Sequence, residues 1–156
     1  EYCGGMADGH IFKGYLPGGA SGGILPAGMA DIPLDFGTLN KYGCFIGSAA
    51  VVVLSDHDNM RDVVVNLLKF FEDESCGQCT PCRVGTEKMV KLLQHPDWDQ
   101  ALMAELTQAM CDASICGLGQ AASNPISTVF KYFDANLIAT DLAASAKLVA
   151  IAGDTK

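Results

Sequence analysis

Positive charge is scarce in this sequence. Its 156 residues carry 10 Lys and Arg against 18 Asp and Glu, a net charge of -8. Binding nucleic acid needs clustered cations on phosphates, so this balance argues against a nucleic-acid partner. Long apolar runs are also missing. The longest, Ala49 to Leu54, is far short of the roughly 20 residues that span a bilayer. No direct membrane insertion is expected. There is no G-x-G-x-x-G ahead of a helix and no Walker A lysine pattern, which leaves no nucleotide-phosphate cradle of either kind. The N-terminus has no charged start followed by an apolar region, so no secretory leader is expected. It begins with Glu1 rather than Met, and the expectation is a fragment or a processed product.

Apolar material is plentiful. Hydrophobic residues make up 49% and charged residues 18%, enough for a core and too apolar for disorder. The length suits one domain or two small ones. Seven cysteines stand at positions 3, 44, 76, 79, 82, 111 and 116. The count is odd, and three crowd into seven residues. A secreted disulfide framework shows neither feature. A metal site in a reducing, cytoplasmic compartment fits better.

Twelve of the 17 glycines precede residue 50. Gly14 to Gly23 reads as a strand end and a long turn. Phe45-Ile46 and Val51 to Leu54 read as strand, because β-branched residues suit a pleated surface. A boundary is expected between Ser55 and Asp58. Beyond it Met60, Val63, Val64, Leu67, Leu68 and Phe71 recur with helical period, with Arg61, Asp62, Asn66 and Lys69 mostly opposite. Asp58 is the expected N-cap. A second helix is expected over 83–94. A third starts near Pro96, with Trp98, Leu102, Leu106 and Ala109 on one stripe. A fourth opens at Asn124-Pro125 and buries Ile126, Val129, Phe130, Phe133 and Leu137. Leu142, Ala146, Val149 and Ala150 suggest a short fifth. The fold class is therefore α+β, a partial β-rich piece over 1–57 and a helical bundle over 58–156 with a C-terminal helical tail. In an up-down bundle the loop of Cys76 to Cys82 and the loop of Cys116 fall at the same end.

Cys76-x-x-Cys79-x-x-Cys82 with a distant fourth cysteine is the strongest chemical signal. Three thiolates two residues apart can wrap three corners of a cube, and iron–sulfur clusters take four cysteines in such runs. Gly77 lets the backbone bend, and Pro81 is expected to keep the segment from becoming helical. A helix N-terminus near Arg83 would favour an anionic cluster. Structural zinc also takes four cysteines, usually as two C-x-x-C pairs, and the three-plus-one division here does not make two pairs. A redox dithiol at Cys79 and Cys82 lacks a thioredoxin-like context. The fourth ligand is Cys111 or Cys116. Cys116 is favoured, because Gly117 and Gly119 allow close backbone approach. Cys3 and Cys44 are expected to be small buried apolar residues.

The stretch Glu74-Ser75-Cys76-Gly77-Gln78-Cys79-Thr80-Pro81-Cys82-Arg83-Val84-Gly85 resembles the signature of the NADH-binding flavoprotein subunit of respiratory complex I. The relatives of that family are the diaphorase subunits of NAD-linked hydrogenases and formate dehydrogenases. Cys111 to Ala122 is most similar to the formate dehydrogenase β subunit. Glu1 to Met6 and Leu16 to Ser21 match the same family, so the resemblance covers essentially the whole chain. It implies a partial β-grasp domain of the ubiquitin-like SLBB type, then a bundle with one [4Fe-4S] cluster on Cys76, Cys79, Cys82 and Cys116. It implies electron relay next to FMN, with FMN and NAD held on a domain upstream of these residues. It also implies a multi-subunit complex with a thioredoxin-like 2Fe-2S subunit and a catalytic iron–sulfur or molybdenum-type subunit. The alternative from another class is a zinc-stapled docking module.

The remaining polar residues have ordinary explanations. His10, His57 and His95 are expected at turns and helix ends. Asp56, His57 and Asp58 look like a capping cluster rather than an acid–base group. Glu72-Asp73-Glu74 is expected to be solvated, although anions beside a cluster would favour its oxidised form. No catalytic residue is assigned.

Overall fold

A computed structural model describes residues 2–133. Three short strands come first: β1 (Phe12–Leu16), β2 (Leu25–Pro26) and β3 (Val52–Ser55). They form an antiparallel sheet in the order β2-β1-β3. Helices follow: α1 (Met60–Asp73), α2 (Thr80–Gln94), α3 (Gln100–Ala113), α4 (Gly117–Ala121) and α5 (Asn124–Tyr132). The architecture is mixed α+β. The expected helix involving Leu142 to Ala150, and Leu137, lie outside the described residues.

The sheet contributes to apolar clusters on both of its faces, because successive side chains of a strand point oppositely. Leu16 of β1 and Leu54 of β3 join Met60, Val64, Leu68, Met89, Leu93, Met103, Ile126 and Val129 in one apolar cluster. Tyr15 turns the other way and packs with Leu25, Leu39 and Cys44. The main core thus runs without a break from the sheet into the helices.

The glycine-rich turn is explained by close approach. A Cβ on Gly18 would lie 2.2 Å from the Phe45 carbonyl oxygen. Its backbone donors are already engaged: Gly19 N–H donates to Ala50 O at 2.9 Å, Gly22 N–H to Gly19 O at 3.0 Å, and Ile24 N–H to Thr128 Oγ1 at 2.8 Å. The turn therefore ties the sheet to α5. Phe45-Ile46, expected as strand, is irregular. The Phe45 carbonyl is occupied in that packing against Gly18.

Several helix starts differ from the sequence reading. Asn59, not Asp58, caps α1 and accepts from Asp62 N–H at 3.1 Å. Asp58 instead accepts from Ser55 N–H at 2.6 Å and Ser55 Oγ at 3.0 Å, closing the turn after β3. Pro81 does not exclude helix. It lies in the first turn of α2, where its missing N–H has no intrahelical duty. Asp99 caps α3 and accepts from Leu102 N–H at 3.0 Å. Trp98 precedes that helix and cannot set its phase. The buried stripe is Met103 and Met110, while Leu102 is exposed. Asn124 donates to Ser21 O at 3.1 Å rather than capping α5.

Candidate metal centre

Helices α1 and α2 run antiparallel through a six-residue connection that holds Cys76 and Cys79. Gly77, at φ +76°, makes the bend. The Arg83 guanidinium donates to the Gly77 carbonyl and clips the loop onto α2. Cys79 is the N-cap residue of α2 and Cys82 lies in its first turn, buried. The loop after α3 brings in Cys116, the N-cap residue of the short α4. The sequence reading missed α4, since a Gly-x-Gly opening resembles a loop.

Cys76, Cys79, Cys82 and Cys116 line one cavity of about 130 Å³, together with Glu74, Ser75, Gln78 and Leu118. All seven cysteines are free thiols. Cys111 lies at the exposed end of α3 and does not line the cavity. Cys44 is buried as expected, but Cys3 is exposed. The lining is dominated by soft sulfur donors, the chemistry that suits zinc, cuprous copper or iron–sulfur clusters.

Spacing distinguishes these groups. A single tetrahedral zinc, with Zn–S of about 2.3 Å, draws its sulfurs to about 3.8 Å of one another. Among the described residues, the set whose donor atoms all lie within 4.8 Å is His10, Asp56 and His57. The four cysteines are not such a set. Their residues line one shared cavity instead.

The cavity wall also presents hydrogen-bond donors to sulfur. The Ile115 backbone N–H, then the Cys82 N–H, hold the Cys79 thiol below its ordinary pKa. Ser75 Oγ lies 3.3 Å from Cys82 Sγ and accepts from Gly77 N–H at 3.4 Å. The Ser114 hydroxyl is buried without a properly aligned hydrogen-bond partner. Neither serine was singled out from the sequence, although Ser75 directly precedes Cys76 and Ser114 stands two residues before Cys116.

Of the remaining polar groups, Asp56 accepts from Ile11 N–H at 2.7 Å, and His10 Nδ1 is 3.0 Å from Ser55 Oγ. Asp56 and His57 belong to the strand end rather than to a helix cap. Asp73 and Glu74 are both exposed to solvent, Glu74 also lining the cavity, and Glu72 is half-buried.

A fold with a cysteine-lined cavity at the end of a helical bundle defines a protein of metal-centre type. Residues 62–140 match the family described as "NADH-ubiquinone oxidoreductase-F iron-sulfur binding region", just over half of the chain, and the chain belongs to that family. It is 35% identical over 142 residues to "NADH dehydrogenase [ubiquinone] flavoprotein 1, mitochondrial" of Dictyostelium discoideum, covering 85% of this chain and 29% of the relative. It is 35% identical over 136 residues to "NADP-reducing hydrogenase subunit HndC" of Solidesulfovibrio fructosivorans, covering 83% and 28%. The fold superposes on an NAD+-reducing [NiFe]-hydrogenase in the air-oxidized state with TM-score 0.72 and 31% identity, over 83% of this chain and 23% of that one. The chain spans about a third of the length of the curated relatives it matches. No helix among the described residues is long and apolar enough to cross a membrane.

Proposed function

We propose that this chain is an electron-relay segment of an NAD-linked oxidoreductase, and that Cys76, Cys79, Cys82 and Cys116 hold one [4Fe-4S] cluster. The observation that carries this reading is the single cavity shared by those four thiols and, among the described residues, by no other cysteine. When bound, such a cluster accepts and releases one electron at a time. The chain's own part is to hold four thiolates, exclude bulk water from Cys82, and direct backbone N–H groups at Cys79. The reading gives this chain no substrate bond to break.

The sheet-bearing piece over 1–57 is read as part of a β-grasp domain of the SLBB type, and 58–156 as the cluster domain. FMN and NAD are assigned to a preceding domain. The partners are a thioredoxin-like 2Fe-2S subunit and a catalytic subunit of formate dehydrogenase type, on the likeness of Cys111 to Ala122. The names of the relatives favour a second reading of the same relay, with quinone or hydrogen at the far end of the complex.

Iron and acid-labile sulfide, counted per chain in protein purified without oxygen, test the cluster. About four of each are expected. One zinc without sulfide would leave a structural docking module instead. The intact complex, supplied with NAD+ and either formate or hydrogen, separates the two terminal partners.

A further inference from the structure

We propose that the hydroxyls of Ser75 and Ser114 donate hydrogen bonds to the sulfurs of Cys82 and Cys79, and so raise the reduction potential of the cluster these residues hold. The inference rests on the ligand set proposed above and adds the residues that tune it.

Ser75 Oγ already accepts one hydrogen bond, from Gly77 N–H. Its proton is left for Cys82 Sγ, 3.3 Å away. A metal-bound cysteine has no proton of its own, so the serine must be the donor in that pair. Ser114 is only 5% exposed, and its hydroxyl has no aligned partner among the protein atoms. Leaving a buried hydroxyl without a partner is costly, so a partner is expected. The backbone of Ser114 is held on both sides: its N–H donates to Met110 O at 3.1 Å, and its carbonyl accepts from Gln120 Nε2 at 3.0 Å. Gly119 leaves the room, since a Cβ there would lie 2.4 Å from Ser114 Oγ and 2.8 Å from Cys82 Cβ. The same close approach puts the Ser114 hydroxyl beside the ligand residue Cys82, and its proposed acceptor is the neighbouring sulfur of Cys79.

Reduction adds an electron and makes the ligand sulfurs more negative. A donated hydrogen bond therefore stabilises the reduced form more than the oxidised form. Removing the donor lowers the potential.

The test uses Ser75→Ala, Ser114→Ala and the double variant of the anaerobically purified protein. Iron and sulfide are counted first. A wild-type protein without them defeats the ligand reading itself, and the proposal falls with it. In variants with wild-type iron content, the midpoint potential is read by a redox titration followed by electron paramagnetic resonance. Each single variant is expected at a lower potential. The double variant is expected to change the oxidised-to-reduced ratio at fixed potential about tenfold, or 59 mV for one electron. Ser75→Thr, which keeps the hydroxyl, should stay at the wild-type value. Iron-replete alanine variants at the wild-type potential overturn the proposal. An alanine variant that takes up no iron is read through its threonine counterpart. Restored iron at the wild-type potential supports donation by that residue, and iron that is not restored overturns it.

Discussion

The two ends of the α1–α2 pair solve opposite problems. At one end Arg61, 6% exposed, reaches from the first turn of α1 to the last turn of α2. Its guanidinium donates to Leu93 O at 2.7 Å, to Pro96 O at 3.3 Å and to the His95 carbonyl, and it lies 4.9 Å from the centre of the Trp98 ring. Trp98 Nε1–H in turn donates to Leu93 O at 3.0 Å. The last carbonyls of α2 would otherwise lack partners, and a cation there also answers the helix dipole. That end is closed. At the other end four thiols line one cavity, and the buried Ser114 hydroxyl beside Cys82 has no hydrogen-bond partner. A satisfied polar cluster serves stability, while a set of soft donors turned toward one cavity serves binding.

Breaking each end in turn sharpens the contrast. The largest effect is expected from Cys82→Ser, which removes a buried sulfur from the first turn of α2 and should reduce bound iron to a small fraction of wild type. Arg61→Leu should cost about 3 kcal/mol of stability, since charged hydrogen bonds contribute about 1.5–3 kcal/mol each and the carbonyls lose them together. Urea unfolding measures that loss, and iron per folded chain should not change. An Arg61→Leu protein of wild-type stability would show that this end is not a lock. Gly119→Ala should cost about 1–3 kcal/mol by overpacking against Ser114 and Cys82. It should also move the midpoint potential, which the Arg61 variant should not.

Two thiols away from the cavity complete the contrast. Burial pushes the Cys44 thiol from 9.0 to about 11, against a smaller lowering by Lys131, whereas N–H donors push Cys79 the other way. Between pH 9 and 11 the unfolded Cys44 thiol loses its proton while the folded one keeps it. The stability due to Cys44 is therefore complete below pH 9 and is lost as pH rises through 11. Replacing it, as in Cys44→Ala, should flatten the stability profile in that window. The smallest effect belongs to Cys111→Ser. Its exposed position predicts a change within about 0.5 kcal/mol, and iron content equal to wild type.

The helical phase of α1 and the class of α5 were legible because buried faces repeat with the period of the element, and the β-strand at Val52 was legible from its β-branched run. Capping was less legible. Asp58 and Asn59 are both good caps, and a three-residue turn back to Ser55 decides which one starts the helix. Arg61 was read as solvent-facing because charge alone gives no hint of carbonyls arriving from a helix end more than 30 residues away.

The sequence by itself determined the chemistry of this protein. Three cysteines two residues apart, with a fourth beside glycines, restrict the donor set to soft sulfur, because ligand identity is written in residue type. Only the tertiary structure decided which cysteines meet. Cys111 and Cys116 are five residues apart, yet α3 carries Cys111 out to solvent while the turn into α4 brings Cys116 to the cavity. The same packing buries Ser114 against Gly119, which carries no Cβ where that hydroxyl must fit. Distance along the chain cannot specify such proximity, since it arises from how the helices pack on one core.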